Sequence, residues 1–193
     1  MARFVRGVLR SYDLAAQKRP LVVKSLTSAS LMAMGDTISQ YVEQSDESSW
    51  KIDRTRLLRM TMIGSFMGPT LHYWYGWLDR TITVTGGKAA LYKVFFDQGL
   101  FAPAILACLT VTIGAAEGKG VSEIKESMMN HYPEALKMNY YIWPPAIFIN
   151  FNFIPPPFRV LYVSSIGMIW NAILSNITHK TIVPDAVVIE DIE

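Results

Sequence analysis

The feature that most constrains this chain is a series of long windows that contain no charged side chain. They are residues 60–78, 98–116, 138–158 and 160–179. Each is close to the ~20 residues that an α-helix needs to cross a lipid bilayer. Several such windows in 193 residues leave too little polar surface to wrap them in water, so buried helices of a soluble α-domain are the weaker alternative.

A fifth apolar segment, residues 21–41, carries Lys24 near its start and Asp36 toward its end, and it is the weakest crossing by hydropathy. Charged residues make up 18% of the chain, against ~25% in an ordinary soluble domain. The sequence therefore predicts an all-α integral membrane helical bundle. It would have four to five membrane helices in a single domain, residues 1–193.

The two ends of the chain have opposite character. Residues 1–19 are basic and amphipathic, with no acid before Asp13, which is typical both of a mitochondrial address and of a basic flank to a first membrane helix. Residues 184–193 are predicted to be a flexible acidic tail. The net charge is only +2, so no basic patch supports direct nucleic-acid binding.

The links between the windows predict two further elements. Residues 117–137 are polar, and Val121, Ile124, Met128 and Met129 favour a short interfacial helix up to Pro133. Residues 155–159 separate the last two windows by a proline-rich break that suits a helical hairpin.

Small residues and prolines predict how the helices pack. Gly64 and Gly68 have the GxxxG spacing that lets two helix backbones approach closely, and Pro69 favours a kink. Pro144 is expected in the first turn of the fourth helix, where its missing donor matters least. The single cysteine, Cys108, is expected to be a small buried packing residue.

Ionisable and amide side chains inside apolar windows are candidates for a solute path. An ionised carboxylate at the bilayer centre costs about 2.5 to 3.5 kcal/mol, so Asp36 and Asp97 should face the bundle interior or water. The alternative is that these groups only join helices, with Asp97 paired to Lys93 near the interface. The candidate pore and gating residues are Asp97, Lys93, Asp36, His72, Asn150 and Asn171.

No pattern in the chain indicates catalysis, a cofactor or a metal. Ala33 stands where the GxGD pattern of intramembrane aspartyl proteases has its first glycine, and no HExxH or paired-cysteine spacing occurs. Neither a P-loop nor a dinucleotide fingerprint is present. We therefore expect no enzymatic activity.

An ordered set of short motifs runs along nearly the whole chain, from about Tyr12 to Lys180. It resembles the Mpv-seventeen and peroxisomal-membrane-protein-twenty-two family, and most of all its mitochondrial branch. The motifs are Gly35-Asp36-Thr37, Gly68-Pro69, Leu78-Asp79-Arg80, Asp97-Gln98-Gly99, Tyr132-Pro133-Glu134, Trp143-Pro144, Arg159 and Trp170-Asn171.

The resemblance implies a protein of the inner mitochondrial membrane, with the peroxisomal membrane as the alternative. It also implies a channel-like activity for small solutes, with a link to mitochondrial nucleotide supply and DNA maintenance. By the same resemblance, Asp97 with Lys93 would be a gating or pore-charge pair. Gly64, Gly68, Pro69, Gly99, Pro103, Trp143 and Pro144 are the expected packing or structural positions.

The predicted partners are the lipid bilayer and small solutes or ions, with nucleotides or their precursors among the candidates, and a second copy of the chain. The competing functional class is a membrane scaffold that conducts nothing and organises inner-membrane complexes. Two departures from the family pattern bear on these expectations. Pro145 follows Trp143-Pro144 where many relatives place a glutamine slightly later, and the acidic tail extends past the family's usual end.

Overall fold

The structure, a computed structural model, describes residues 2–44 and 50–182, with side chains from residue 6 to 44 and from 50 to 171. The predicted acidic tail, 184–193, lies outside the described residues. Every regular element within them is helical. The elements are α1 (Ala2–Lys18), α2 (Pro20–Glu43), α3 (Arg54–Thr81), α4 (Gly87–Phe96), α5 (Ala102–Ala116), α6 (Val121–Asn130), α7 (Tyr132–Phe153) and α8 (Arg159–Ile182).

Helices α4 and α5 form one continuous segment, because a π-helical turn at Asp97–Phe101 joins them. By length and composition, Gly87–Ala116 is the one helix among the described residues that could cross a membrane. The predicted all-α class is confirmed. The number of four to five crossings stays a prediction.

Helices α2 and α3 pack against each other at very short range. A Cβ built on Gly64 would lie 2.7 Å from Met32 Cβ, and one on Gly68 would lie 2.6 Å from the backbone nitrogen of Ser25. The two glycines therefore occupy the close approach that their GxxxG spacing predicts. Pro69 follows inside α3, which continues through it.

Helix α8 completes this first group of helices by running parallel to α2. Ser28 Oγ lies 2.9 Å from Ser164 Oγ, and Asn171 Nδ2 lies 2.9 Å from Met32 Sδ. In these two contacts the residue numbers rise together along α2 and α8, so the two helices run in the same direction.

A second group contains α4, α5, α6 and α7. The continuous segment of α4 and α5 runs antiparallel to α6 and α7, since Tyr132 at the start of α7 donates to the Pro103 carbonyl at 3.2 Å. Farther along α7, Asn139 Nδ2 donates to Gln98 Oε1 at 3.0 Å. The predicted interfacial helix at 121–133 forms α6, which ends at Asn130.

The two groups meet in one hydrophobic core at the end of the bundle where α3 finishes and α8 begins. Tyr75 packs edge-on against Phe151, with ring centroids 5.1 Å apart. The buried core residues are Leu71, Tyr75, Leu78, Ala90, Ile147, Phe151, Val160 and Val163.

The predicted hairpin between the last two windows is present. A 3₁₀ turn at Pro156–Phe158 joins α7 to α8. Helix α1 folds back onto this turn: the Tyr12 ring stacks on Phe158 at 5.5 Å, and its hydroxyl lies 3.3 Å from Thr27 Oγ1.

Two local expectations are wrong. Helix α7 begins at Tyr132 rather than near residue 140, so Pro144 and Pro145 lie inside the helix and not in its first turn. Cys108 is exposed on α5 rather than buried, because none of the described helices covers this face.

Candidate solute cavity

A cavity of about 460 Å³ separates the two groups of helices. One wall consists of α2, α3 and α8, and the other of α5, α6 and α7. Both Ala102 and Gly114 line it. Since they are twelve residues apart on α5, the cavity is about 18 Å long at a rise of 1.5 Å per residue. Its size falls within the range of small-molecule sites.

The deep end of the cavity is built around the carboxylate of Asp97, which is 3% exposed. Its Oδ1 accepts from Trp74 Nε1 at 2.8 Å, and its Oδ2 accepts from Gln98 Nε2 at 2.8 Å. Gln98 Oε1 in turn accepts from Asn139 Nδ2. Helix α3, the π turn before α5 and helix α7 are thus joined by a buried polar network that ends on a carboxylate with neutral donors.

The π-helical turn that carries Asp97 has a local cause. Pro103 has no N–H to offer the Gly99 carbonyl four residues earlier, and its ring would crowd that carbonyl in a regular α-helix. The wider turn relieves this, and Ala102 N–H donates instead to the Asp97 carbonyl, five residues back. Single π turns inside α-helices often occur at functional sites.

Aromatic stacking holds the donor of this network in place. The Trp74 ring stacks on Phe101 with centroids 4.8 Å apart and on Trp77 with centroids 5.1 Å apart. Both interplanar angles are small, 14° and 23°. The indole N–H therefore has a fixed direction toward Asp97.

The opposite end of the cavity carries a charged cluster centred on Arg56. Its Nε donates to Asp36 Oδ1 at 2.8 Å, and its Nη1 and Nη2 donate to the two oxygens of Glu43. Gln40 Nε2 adds a bond to Asp36 Oδ2 at 2.8 Å. Arg56 precedes the predicted crossing at 60–78, and the hydrogen bonds that it donates to Glu43 raise its pKa further above the ordinary value. The guanidinium is therefore charged at all physiological pH values.

Beyond the deep end, the bundle is closed by a second ionic cluster. Asp79 accepts from Lys93 Nζ on Oδ1 and from Arg159 Nη1 on Oδ2, both at 2.6 Å. The two cations lie over the Phe151 ring, 5.1 Å and 4.8 Å from its centroid. Asp79 follows the predicted crossing at 60–78. Burial alone would raise its pKa, but the hydrogen bonds and charges of Lys93 and Arg159 outweigh it and lower that pKa.

The structure brings three of the six predicted pore residues to the cavity wall. They are Asp36, Asp97 and Asn171. Their placement supports a shared path, while their role in conduction stays a prediction.

The other three predicted pore residues lie elsewhere. Lys93 binds Asp79 and not Asp97, so the two residues do not form an ion pair, while their role in gating stays a prediction. His72 lies with its Nδ1 2.8 Å from Lys24 Nζ, at the contact of α2 and α3. Asn150 is 0% exposed, and its amide has no hydrogen-bond partner among the described residues. All three predictions used spacing along a single helix. Such spacing does not show which neighbouring helix will pack against a side chain.

The remaining structural candidates divide according to their surroundings. Trp143 lines the cavity and packs edge-on against Trp170 at 6.4 Å. Pro103 follows the π turn. A Cβ on Gly99 would meet no heavy atom within 4 Å among the described residues, so helix packing is not the reason for glycine there.

Sequence reasoning missed several of the side chains that build the site. Gln98 was included only in a family motif, and Asn139 and Trp74 were not among the candidate residues. A signal was available for Gln98, since a buried amide next to a buried acid needs partners. No local signal marks Arg56, whose partners Asp36 and Glu43 lie on another helix.

Within the described residues, no group of three or more His, Cys, Asp and Glu side chains is placed to hold a metal ion. The arrangement offers instead an elongated cavity with an apolar middle, a charged cluster at one end and a buried acceptor network at the other. Met32, Met67, Ile105 and Leu106 are among the apolar residues of its walls. Such a site can accept a small molecule and present hydrogen-bond acceptors to it.

Comparison with known proteins gives a consistent result. The model of the Mpv17 / PMP22 family matches residues 114–175. "Mitochondrial inner membrane protein Mpv17" of Homo sapiens is 37% identical over 172 residues, covering 89% of this chain and 97% of that protein. "PXMP2/4 family protein 2" of Dictyostelium discoideum is 37% identical over 163 residues, covering 82% and 84%. The Drosophila melanogaster Mpv17 protein is 34% identical over 156 residues, covering 79% and 92%. No solved structure matches.

Proposed function

The chain belongs to the Mpv17/PMP22 family, and from that premise we propose that it is a channel or transporter for small solutes. The location predicted from the sequence, the mitochondrial inner membrane, agrees with the names of its relatives. The proposal includes a contribution to mitochondrial nucleotide supply and DNA maintenance, with nucleotides or their precursors among the solutes.

The observation that carries the proposal is the cavity between the two groups of helices. It runs for about 18 Å from the cluster at Arg56 to the buried carboxylate of Asp97. A bundle whose polar side chains only joined helices would have no need for such an interior space, since close packing stabilises helix contacts.

Asp97 is the residue we propose to contact the solute. Its two oxygens each accept one hydrogen bond from a neutral donor, and it faces the cavity. A carboxylate oxygen can accept further bonds, so a solute with an N–H, an O–H or a positive charge would bind there.

The closed end explains how passage would be controlled. Tyr75 and Ile147, 4% and 1% exposed, lie at the deep end of the cavity, and the Asp79 cluster lies beyond them. Passage then requires the two groups of helices to separate at this end. The π turn at Asp97–Phe101 and the prolines inside α7 are the segments whose backbone bonding is weakest.

The competing proposal, a scaffold that conducts nothing, is favoured by the same closed end. A planar-bilayer recording of the purified protein separates the two. A channel gives discrete conductance that Asp97→Asn changes, with Glu126→Gln, an exposed acid on α6, as the matched control. Two results together would overturn the proposal: folded wild-type protein shows no conductance, and it takes up no solute in a proteoliposome panel that includes nucleotides.

A further inference from the structure

Five helix termini meet at the end of the bundle that contains the proline turn. Asp79, near the end of α3, binds both Lys93 of α4 and Arg159, the first residue of α8. Lys24, near the start of α2, lies beside Gly68 and His72 of α3. Helix α1 packs on the same turn through Tyr12. We call this region, residues 2–24, 79–93 and 154–159, the basic end.

The charge of the basic end is strongly one-sided. Its three segments contain ten Lys and Arg side chains and two acids, Asp13 and Asp79. The rest of the chain contains eight Lys and Arg against fourteen acids. The net charge of +2 conceals this separation, because the segments are far apart in sequence and only the fold assembles them.

Few of these cations have a carboxylate partner. Among the described residues, the ion pairs of the basic end are those that Lys93 and Arg159 make with Asp79. Lys24 is 7% exposed, and its Nζ contacts His72 Nδ1 with no carboxylate within 4.0 Å in the described structure. Lys24 is therefore held inside the bundle and is not one of the exposed cations of the basic end.

Helix α1 places its arginines beside an apolar surface. Tyr12 and Ala16 face the bundle, with Ala16 5% exposed, while Val8 and Leu9 are 53% and 45% exposed. Arg6 and Arg10 are also exposed. A helix that presents apolar and basic residues together is typical of one that lies at the level of lipid headgroups.

The dimensions of the bundle agree with this position. The continuous segment Gly87–Ala116, the described helix that could cross a membrane, has 30 residues and so spans about 45 Å, more than the ~30 Å hydrocarbon core of a bilayer. Its first turn therefore lies at one membrane surface when its middle lies in the hydrocarbon. Arg19, Arg80 and Lys88 are exposed at that level.

We propose that the basic end is a binding surface for the phosphate headgroups of anionic phospholipids. Six cations of the basic end are exposed, and none of them lines the cavity: Arg6, Arg10, Lys18, Arg19, Arg80 and Lys88. A solute in the cavity would not meet them, whereas a layer of headgroups would meet all the exposed ones at once. Basic side chains at a membrane surface are attracted to anionic lipid in this way.

The test measures the midpoint of thermal unfolding, Tm, of the full chain in an uncharged detergent. Phosphatidylglycerol, phosphatidylcholine or inorganic phosphate is added in separate samples. We expect phosphatidylglycerol to raise Tm more than phosphatidylcholine, and inorganic phosphate to leave it unchanged. In the variant with Arg19→Gln, Arg80→Gln and Lys88→Gln, the extra rise in Tm with phosphatidylglycerol over phosphatidylcholine should be smaller. The decrease should be roughly 2 to 4 °C for each side chain neutralised.

A matched variant carries three neutralised cations away from the basic end: Lys51→Gln, Arg54→Gln and Lys125→Gln, all exposed in the wild type. It should keep the full response to phosphatidylglycerol. Equal responses to the two lipids, or equal losses in the two triple variants, would overturn the proposal. A rise with inorganic phosphate as large as that with phosphatidylglycerol would instead identify a site for a soluble anion. None of these readouts depends on solute flux.

Discussion

Asp79 on α3 and Arg159 at the start of α8 lie eighty residues apart in the chain, yet Oδ2 of one and Nη1 of the other are 2.6 Å apart. Lys93 Nζ binds the second oxygen of the same carboxylate. Asp79 therefore connects α3, α4 and α8 beyond the closed end of the cavity.

Asp79→Asn tests this tie. It leaves Lys93 and Arg159, 11% and 10% exposed in their side chains, without a carboxylate, whereas Asp79 itself is 34% exposed. We expect a loss of about 2 kcal/mol in the free energy of unfolding. This value lies between the ~0–1 kcal/mol of an exposed ion pair and the ~3–5 kcal/mol lost when one partner of a buried pair is removed. Glu117→Gln, which removes the exposed partner of Lys119, should cost less than ~0.5 kcal/mol. Denaturant unfolding in detergent measures both, and equal effects would contradict the prediction.

Gly68→Ala tests the close contact of α2 and α3. The new Cβ would collide with the carbonyl of Lys24, and relief requires the helices to move apart. We expect a loss of about 1 to 3 kcal/mol in the free energy of unfolding. Gly76→Ala on the same helix is the control, because its Cβ meets no described atom within 4 Å and alanine favours a helix by up to ~1 kcal/mol. A Gly68→Ala protein as stable as the Gly76→Ala protein would show that the helices are farther apart.

Trp74→Phe tests the donor on the Asp97 carboxylate. The substitution keeps an aromatic ring against Phe101 but removes the N–H that lies 2.8 Å from Asp97 Oδ1. A hydrogen bond to a charged group contributes about 1.5 to 3 kcal/mol, so the variant should lose stability in this range. Trp77→Phe, 43% exposed in the wild type and with no indole hydrogen bond among the described residues, keeps an aromatic ring beside Trp74 and should cost less than Trp74→Phe. The comparison uses thermal unfolding in detergent, and equal Tm values for the two variants would refute the assignment.

Asn150→Leu should not destabilise the protein. The wild-type amide is 0% exposed and has no hydrogen-bond partner among the described residues. An apolar side chain in its place removes the desolvation cost of an amide that is buried without hydrogen bonds. We expect a gain of up to ~1 kcal/mol. Asn139→Leu, by contrast, breaks the bond to Gln98 and should cost about 1 to 3 kcal/mol. A destabilised Asn150→Leu protein would mean that the amide binds a group outside the described residues.

The features that the sequence predicted correctly depend on short spacings. Uncharged windows predicted helices, a four-residue glycine spacing predicted a close helix contact at Gly64 and Gly68, and prolines predicted the turn before Arg159. Pro144 was placed wrongly in a first helical turn. The helix begins at Tyr132, before the uncharged window at 138–158, so Pro144 lies twelve residues inside it.

Partners between helices could not be predicted in the same way. Lys93 and Asp97 have the i, i+4 spacing of a helical ion pair. In the structure, however, Lys93 binds Asp79 of α3, and Asp97 enters a π turn and binds Trp74 and Gln98. Spacing along one helix shows which side chains share a face but not which helix will cover that face.

The sequence by itself determined the helical class, the positions of most helices and the family. Only the tertiary structure decided which acid each cation meets, where the cavity lies and that the basic segments 2–24, 79–93 and 154–159 meet at one end. The physical reason is the range of the forces. Hydropathy and backbone preferences act within a few turns of one helix, whereas a buried carboxylate takes its donors from whatever helix packs against it.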